Sequence, residues 1–323
     1  MQFRPFVSQI VLASMTVLAT AAHADYPDKP VKMLVGYAPG GATDIVARVL
    51  GASLSKAWGQ SVIVENKPGA SGMLAGEQTV HAPADGYTLL LGYTPEVSIN
   101  KLVFRSMRYD PLTDLTPVAL VAVAPLVLVA GPKNPISDFK TLMTSKGRAT
   151  PLSYGSPGVG GQQHMAGEML GKATGLPVLH VPYRGTSLAV TDLVGGQIDL
   201  FFATTPPLLQ QIKSGRLKPI LVAGEKRERL LPDTPTAVEL GLPELQLINW
   251  FGVFGPKGMS AALQDKVAKD VLTALSDDKL IKHLEDQGLT ARPMQGKQFR
   301  TFITEEMTKY KGIVERTGIT ADQ

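Results

Sequence analysis

The chain has 323 residues, 44% hydrophobic and 19% charged, which supplies apolar surface for a globular core and length for two domains. Lys plus Arg number 32 against 28 Asp plus Glu with no basic block, so the charge pattern excludes a nucleic-acid footprint and is compatible with a small anionic ligand. The absence of cysteine excludes disulfides, thiolate metal sites, a thiol nucleophile and a lipid-bearing cysteine.

The first segment reads as an export signal. Arg4 forms a short positive region, residues 10–22 an apolar run, and Ala22 and Ala24 the small residues of a cleavage site. Cleavage after Ala24 is expected, with a mature chain starting at Asp25. The apolar run is shorter than the roughly 20 residues that span a bilayer, so an anchor is the poorer reading.

After it, short apolar strands alternate with amphipathic helices. Residues 31–37 read as a buried strand, and Ile45, Val46, Val49, Leu50, Leu54 and Trp58 form one stripe of a following helix. Strands at 61–65 and 88–92 flank a helix at 73–82. The order β-α-β-α-β implies right-handed crossovers and a mainly parallel sheet. The apolar stretch 117–131 is broken by Pro125 and cannot be one strand. A second set follows: a strand at 152–155, a helix from Gln162, a strand at 178–181, a helix to Val194, and strands at 198–203 and 217–224. Beyond them come a polar, proline-marked loop at 225–236, a strand at 249–255 and three helices. The organisation is bilobed, with a ligand crevice expected outside the strand ends.

Two glycine turns carry the chemistry. In "APGGATD", Gly40 and Gly41 can adopt positive φ, Thr43 can cap a helix, and the first free N–H groups with the positive end of the dipole favour a carboxylate or phosphate. Asp44 suits the first helical turn, but its charge opposes an anion beside it. It is expected to cap the helix or to reach a ligand through water or a hydroxyl. "GSPGVGGQQH" repeats strand, turn and helix, with Gly158, Gly160 and Gly161 freeing the backbone and Ser156 offering a hydroxyl. A dinucleotide fingerprint would need glycine at Gln163, and a nucleophile elbow would need glycine at Tyr154. Ser156 and His164 could be drawn as nucleophile and base of a secreted hydrolase, but no orienting acid accompanies them. Histidines at 81, 164, 180 and 283 have no metal-ligand spacing. No enzymatic activity, cofactor or metal is expected.

"YPDKPVKMLVGYAPGGATDIVARVL", "VIVENKPGASG", "ADGYTLLLG", "VLHVPYRGTSLAVTDLVGGQIDL", "LLPDTPTAVELGLP" and "NWFGVFGPKG" together resemble the signatures of the Bug (TctC-type) extracytoplasmic solute receptors of tripartite tricarboxylate transporters, in order and over essentially the whole mature chain. The resemblance implies a two-lobed α/β periplasmic binding protein of the Venus-flytrap kind. Lobe 1 would hold residues 25–124 and 224–323 and lobe 2 residues 125–223, joined by two crossing strands near Ala124 and Ala223. It implies a receptor that closes on a small carboxylate and presents it to membrane transporter subunits; a ligand sensor feeding a signalling partner is the alternative, and the chain is expected to be a monomer. The carboxylate would be held by backbone N–H groups and water in loops 39–44 and 156–162, including Pro39, Gly40, Gly41, Thr43, Asp44, Ser156, Gly160, Gly161 and Gln162. Loops 92–100, 182–187 and the end of 199–205 would complete the cleft. Many relatives carry aspartate where this chain has Ala203, which removes an acceptor for an ammonium or hydroxyl group. Where many relatives have a small polar residue and then histidine, this chain has Glu96 and Val97; Glu96 would bind a donor or a bridging water, or point to solvent. Tyr37, Tyr93 and Tyr154 fall at strand ends and would line a flat pocket or pack the loops. Arg184 is the one cation near the cleft, at its rim.

Overall fold

The computed structural model describes residues 26–321. The expected signal segment and its cleavage point lie outside the described residues. Strands β1 (Val31–Val35), β2 (Val62–Asn66), β3 (Thr88–Tyr93) and β4 (Leu115–Pro125) belong to a first sheet. Strands β5 (Val127–Ala130), β6 (Leu152–Ser156), β7 (Val178–Pro182), β8 (Leu200–Ala203) and β9 (Lys218–Val222) form a second. The chain then returns to the first sheet through β10 (Ile248–Pro256) and β11 (Thr290–Gln295). The orders are β11-β4-β10-β3-β1-β2 and β7-β6-β8-β5-β9.

Both sheets have helices packed on their faces, which is why their strands read as continuous apolar runs. Val31, Met33 and Val35 of β1 pack with Val46, Leu50 and Leu54 of the helix Ala42–Trp58 on one face. Leu34 points to the other, among Trp250, Phe254 and Phe299. The second core sets Leu128, Tyr154, Leu200 and Phe202 against Met165, Ala166 and Leu170 of the helix Gln162–Thr174.

Neither sheet is mainly parallel. β1 is parallel to β2 and β3, but β10 is antiparallel to β3 and β4, and β11 to β4. In the second sheet β6 is parallel to β7 and β8, while β5 is antiparallel to β8 and β9. The antiparallel half arises because the chain crosses between sheets in extended form, without a helix to restore direction. β11 escapes a sequence reading that placed only helices after residue 255. It is a half-exposed edge strand containing Pro293, with no alternation to betray it.

The first passage between the sheets falls at Pro125–Leu126, where β4 ends and β5 begins in the other sheet. The second lies at Leu247–Ile248 and not near Ala223. Ala237, Leu242, Leu245 and Leu247 are buried in the second core, so residues 224–247 pack with that lobe. Three backbone bonds tie the crossings: Leu126 N–H donates to Leu247 O (3.1 Å), Leu247 N–H to Ala223 O (2.8 Å) and Ala223 N–H to Leu126 O (2.7 Å). The carboxyl-terminal helix Gly296–Thr317 also reaches across, with Phe299 and Ile303 in one core and Tyr310 and Ile313 in the other.

Candidate ligand cleft

The helices Ala42–Trp58 and Gln162–Thr174 begin in the same way on opposite lobes. Gly41 (φ −81°, ψ 167°) and Gly161 (φ −73°, ψ 170°) occupy the N-cap positions, and neither helix start has a side-chain cap. The preceding Gly40 (φ 86°) and Gly160 (φ 74°) make the left-handed bend that only glycine takes without strain. In each turn the side chain four residues on folds back to the glycine amide. Gly40 N–H donates to Asp44 Oδ2 (3.1 Å), and Gly160 N–H to His164 Nδ1 (3.1 Å). These bonds fix the turn and leave the next backbone donors aimed outward.

A cavity of about 20 Å³ lies between the lobes, lined by Tyr37, Ala38, Gly41, Ala42, Thr43 and Tyr93 from the first and by Pro157, Gln163, Thr186, Ala203, Thr204 and Pro207 from the second. On this measure one water needs about 10–15 Å³, so the space suits a small polar head group and not the body of a ligand. Tyr37 and Pro157 also line a wider outer cavity of about 780 Å³, with Phe104, Tyr183, Arg184 and the turn from Gly69 to Gly72. The lobes touch around both. Gln163 Nε2 donates to Tyr93 Oη (2.8 Å), Ser71 Oγ to Val159 O (3.0 Å) and Ser187 Oγ to Pro39 O (3.2 Å).

Of the residues singled out in the sequence, Tyr37, Gly41, Thr43, Tyr93 and Ala203 line the inner cavity, and Arg184 lines the outer one. Arg184 is the only charged side chain bordering either among the described residues. Pro39, Gly40, Gly160 and Gly161 shape the turns without lining the inner cavity. Asp44 faces away from it. Its carboxylate takes bonds from Arg48 Nε (3.0 Å) and Asn66 Nδ2 (3.0 Å) besides Gly40, which outweigh its partial burial and lower its pKa.

Two assignments shift by a residue or a partner. Gln162 is fully buried and turns to Ile248 O (3.0 Å) and Tyr310, while its neighbour Gln163 faces the cleft. Successive helical residues point about 100° apart, so glycine spacing cannot tell which of the pair looks inward. Ser156 is fully buried, donates to Gly158 O (2.7 Å) and meets His180 Nε2 at 2.6 Å; His164 is not its partner. His180 stacks on His164 at 3.8 Å, and burial followed by that neighbour pushes its pKa down to about 3, which keeps the ring neutral. Neither cavity is bordered by Ser156. Tyr154 belongs to the second core, its hydroxyl donating to Glu168 Oε1 (2.6 Å), and does not line the cleft.

Glu96 neither points to solvent nor enters the cavity. It sits in the π-helical turn Pro95–Ile99 with no exposed surface. Tyr93 N–H donates to its Oε1 (3.0 Å), and its Oε2 lies 3.2 Å from Tyr37 Oη, which is also 3.0 Å from Ser71 O. Burial pushes its pKa up to about 8, with the hydrogen bonds opposing. Proton counting agrees. The single hydroxyl proton of Tyr37 cannot serve two acceptors, whereas a protonated Glu96 donates to Tyr37 and Tyr37 donates to Ser71 O. The neutral acid therefore braces the aromatic wall shared by both cavities.

Comparison with known proteins gives a consistent result. The model of the TctC family, tripartite tricarboxylate transporter family receptors, matches residues 46–319. Protein BugT of Bordetella pertussis is 33% identical over 311 residues, covering 96% of this chain and 95% of that one. A structure from R. palustris solved with adipate superposes with TM-score 0.89 at 30% identity, covering 92% of this chain and 99% of the other. MatC from Rhodopseudomonas palustris with bound malate gives TM-score 0.84 at 30% identity, covering 90% and 100%.

Proposed function

The chain belongs to the TctC family of tripartite tricarboxylate transporter receptors, and on that premise we propose that it captures a small carboxylate between its lobes in the periplasm and delivers it to a membrane transporter. The observation that carries this reading is the pair of uncapped helix N-termini converging on one cavity from opposite lobes, Gly41 to Thr43 on one side and Gln163 on the other. Backbone amides and dipole ends supply positive potential at fixed positions and need no buried Arg or Lys. The adipate and malate complexes of its structural neighbours support a carboxylate as the ligand. Among the described residues no helix is long and apolar enough to cross a membrane, which suits a receptor that passes its ligand to a separate membrane partner.

An acid head in the inner cavity contacts both lobes only when they are closed, so binding shifts the open and closed populations by that difference in affinity. The body of the acid then occupies the outer cavity. Micromolar binding corresponds to about −8 kcal/mol, within reach of a few charge-assisted hydrogen bonds plus apolar burial after ordering costs. The protein acts as a monomer in this scheme, since each cleft is complete within one chain.

A thermal-shift screen of aliphatic, aromatic and hydroxylated mono-, di- and tricarboxylates beside their neutral amides tests the reading. Acids should raise the melting temperature and the matching amides should not. Equal shifts from amide and acid, or none from any acid, would overturn it. Delivery is tested by uptake of the identified acid in a strain lacking this protein, where lost uptake is expected and intact uptake argues against a transport role.

A further inference from the structure

Gln163 is 3% exposed and borders the inner cavity beside the helix start at Gly161. One end of its amide is engaged, Nε2 donating to Tyr93 Oη across the cleft, while Oε1 is buried without a hydrogen-bond partner. A buried carbonyl oxygen left unpaired is costly, and such groups in native proteins ordinarily have a reason. The backbone N–H groups of the two helix starts, which no side chain caps, are donors suited to an anion. Gln163 Oε1 is an acceptor set among them.

Building on the carboxylate reading above, we infer that Gln163 selects acids carrying a hydroxyl group beside the bound carboxylate, with Oε1 accepting the hydroxyl proton. An ammonium group fits the same place less well, because its charge asks for a carboxylate. Asp44 is occupied by Arg48, Asn66 and Gly40, and Glu96 lies behind Tyr37. Ala203 puts only a methyl group on the same cavity wall. The hydroxyl is thus the neutral donor that completes the acceptor, and an acid lacking it leaves Oε1 buried and unpaired.

The test is calorimetry on the mature protein with three matched pairs: propionate and lactate, succinate and malate, phenylacetate and mandelate. Within the pair that binds, the hydroxy acid should bind at least tenfold more tightly, the size expected when a buried acceptor gains its donor. Gln163→Met, similar in length but without the acceptor, should bring that ratio close to one. The α-methoxy analogue, which keeps the oxygen and lacks the proton, should bind the wild-type protein no better than the unsubstituted acid. A methoxy acid bound as well as the hydroxy acid would overturn the assignment even if Gln163→Met does not fold. Equal affinities within a pair, a preference that survives Gln163→Met, or a methoxy acid bound as well as the hydroxy acid would each overturn the assignment while leaving carboxylate capture intact. Equal affinities would also result if the amide were reversed, with its NH₂ facing the cavity. Binding of none of the six acids, together with no melting shift from any acid of the wider screen, would overturn the carboxylate reading itself.

Discussion

Replacing Glu96 by Gln should make the protein more stable at neutral pH, by an amount that depends on pH in a defined way. Folding holds a proton on Glu96 up to about pH 8, whereas the ordinary carboxyl of the unfolded chain releases it near 4.5. The folded state binds the extra proton between those values, so this contribution is fully present below about pH 4.5 and is lost as pH rises toward 8. The slope is about 1.4 kcal/mol per pH unit. Gln keeps the geometry without the titration: its oxygen accepts from Tyr93 N–H, its NH₂ donates to Tyr37 Oη, and Tyr37 donates to Ser71 O. One spare amide N–H is left buried, which costs about 1 kcal/mol. The two proteins should therefore be nearly equal in stability at pH 5, and the variant about 3 kcal/mol ahead at pH 7.5. Urea unfolding of both at pH 5, 6, 7 and 7.5 measures the gap, with equal m-values as the control for unchanged compactness. A gap that does not widen with pH would mean that Glu96 titrates alike in both states, and the neutral brace behind Tyr37 would be wrong.

The two glycines of the first turn should fail for different reasons. Gly40→Val forces a β-branched residue to φ 86° and should cost at least about 1–2 kcal/mol of stability, read from the urea midpoint. Gly41→Val has an ordinary backbone and 4.0 Å from its Cβ to Thr186 on the other lobe, so the fold should survive while the side chain fills the inner cavity and abolishes acid binding by calorimetry. Retained affinity would move the ligand out of the inner cavity. Ser71→Ala removes the bond to Val159 O, formed only when the lobes meet, and should weaken acid affinity about fivefold, as expected for one net hydrogen bond of about 1 kcal/mol. Unchanged affinity would mean that this contact contributes nothing to closure.

The amino-acid sequence by itself determined the parts whose cause is local. The run from Val31 to Val35, the stripe from Ile45 to Trp58 and the glycine turns at 40–41 and 160–161 each state a period or a backbone requirement within one short segment, and both helix starts fall where the turns put them. The break at Pro125 likewise separates two strands that belong to different sheets. Tertiary structure decided what depends on neighbours distant in sequence. The antiparallel halves of both sheets, and the half-exposed edge strand β11, follow from which strands lie adjacent after the chain crosses between lobes. The 224–247 segment joins the second lobe because irregularly spaced leucines find a core there, a preference that carries no period. Side-chain direction in the cleft was decided at the same level. Gln162 turns into the core to Tyr310 and Gln163 across the cleft to Tyr93, Ser156 meets His180 and not His164, and Glu96 withdraws behind Tyr37. The backbone donors that suit an anion are local in origin and were legible. The acceptor proposed to discriminate among anions depends on a one-residue helical rotation and a partner 70 positions away, which only the folded chain brings into contact.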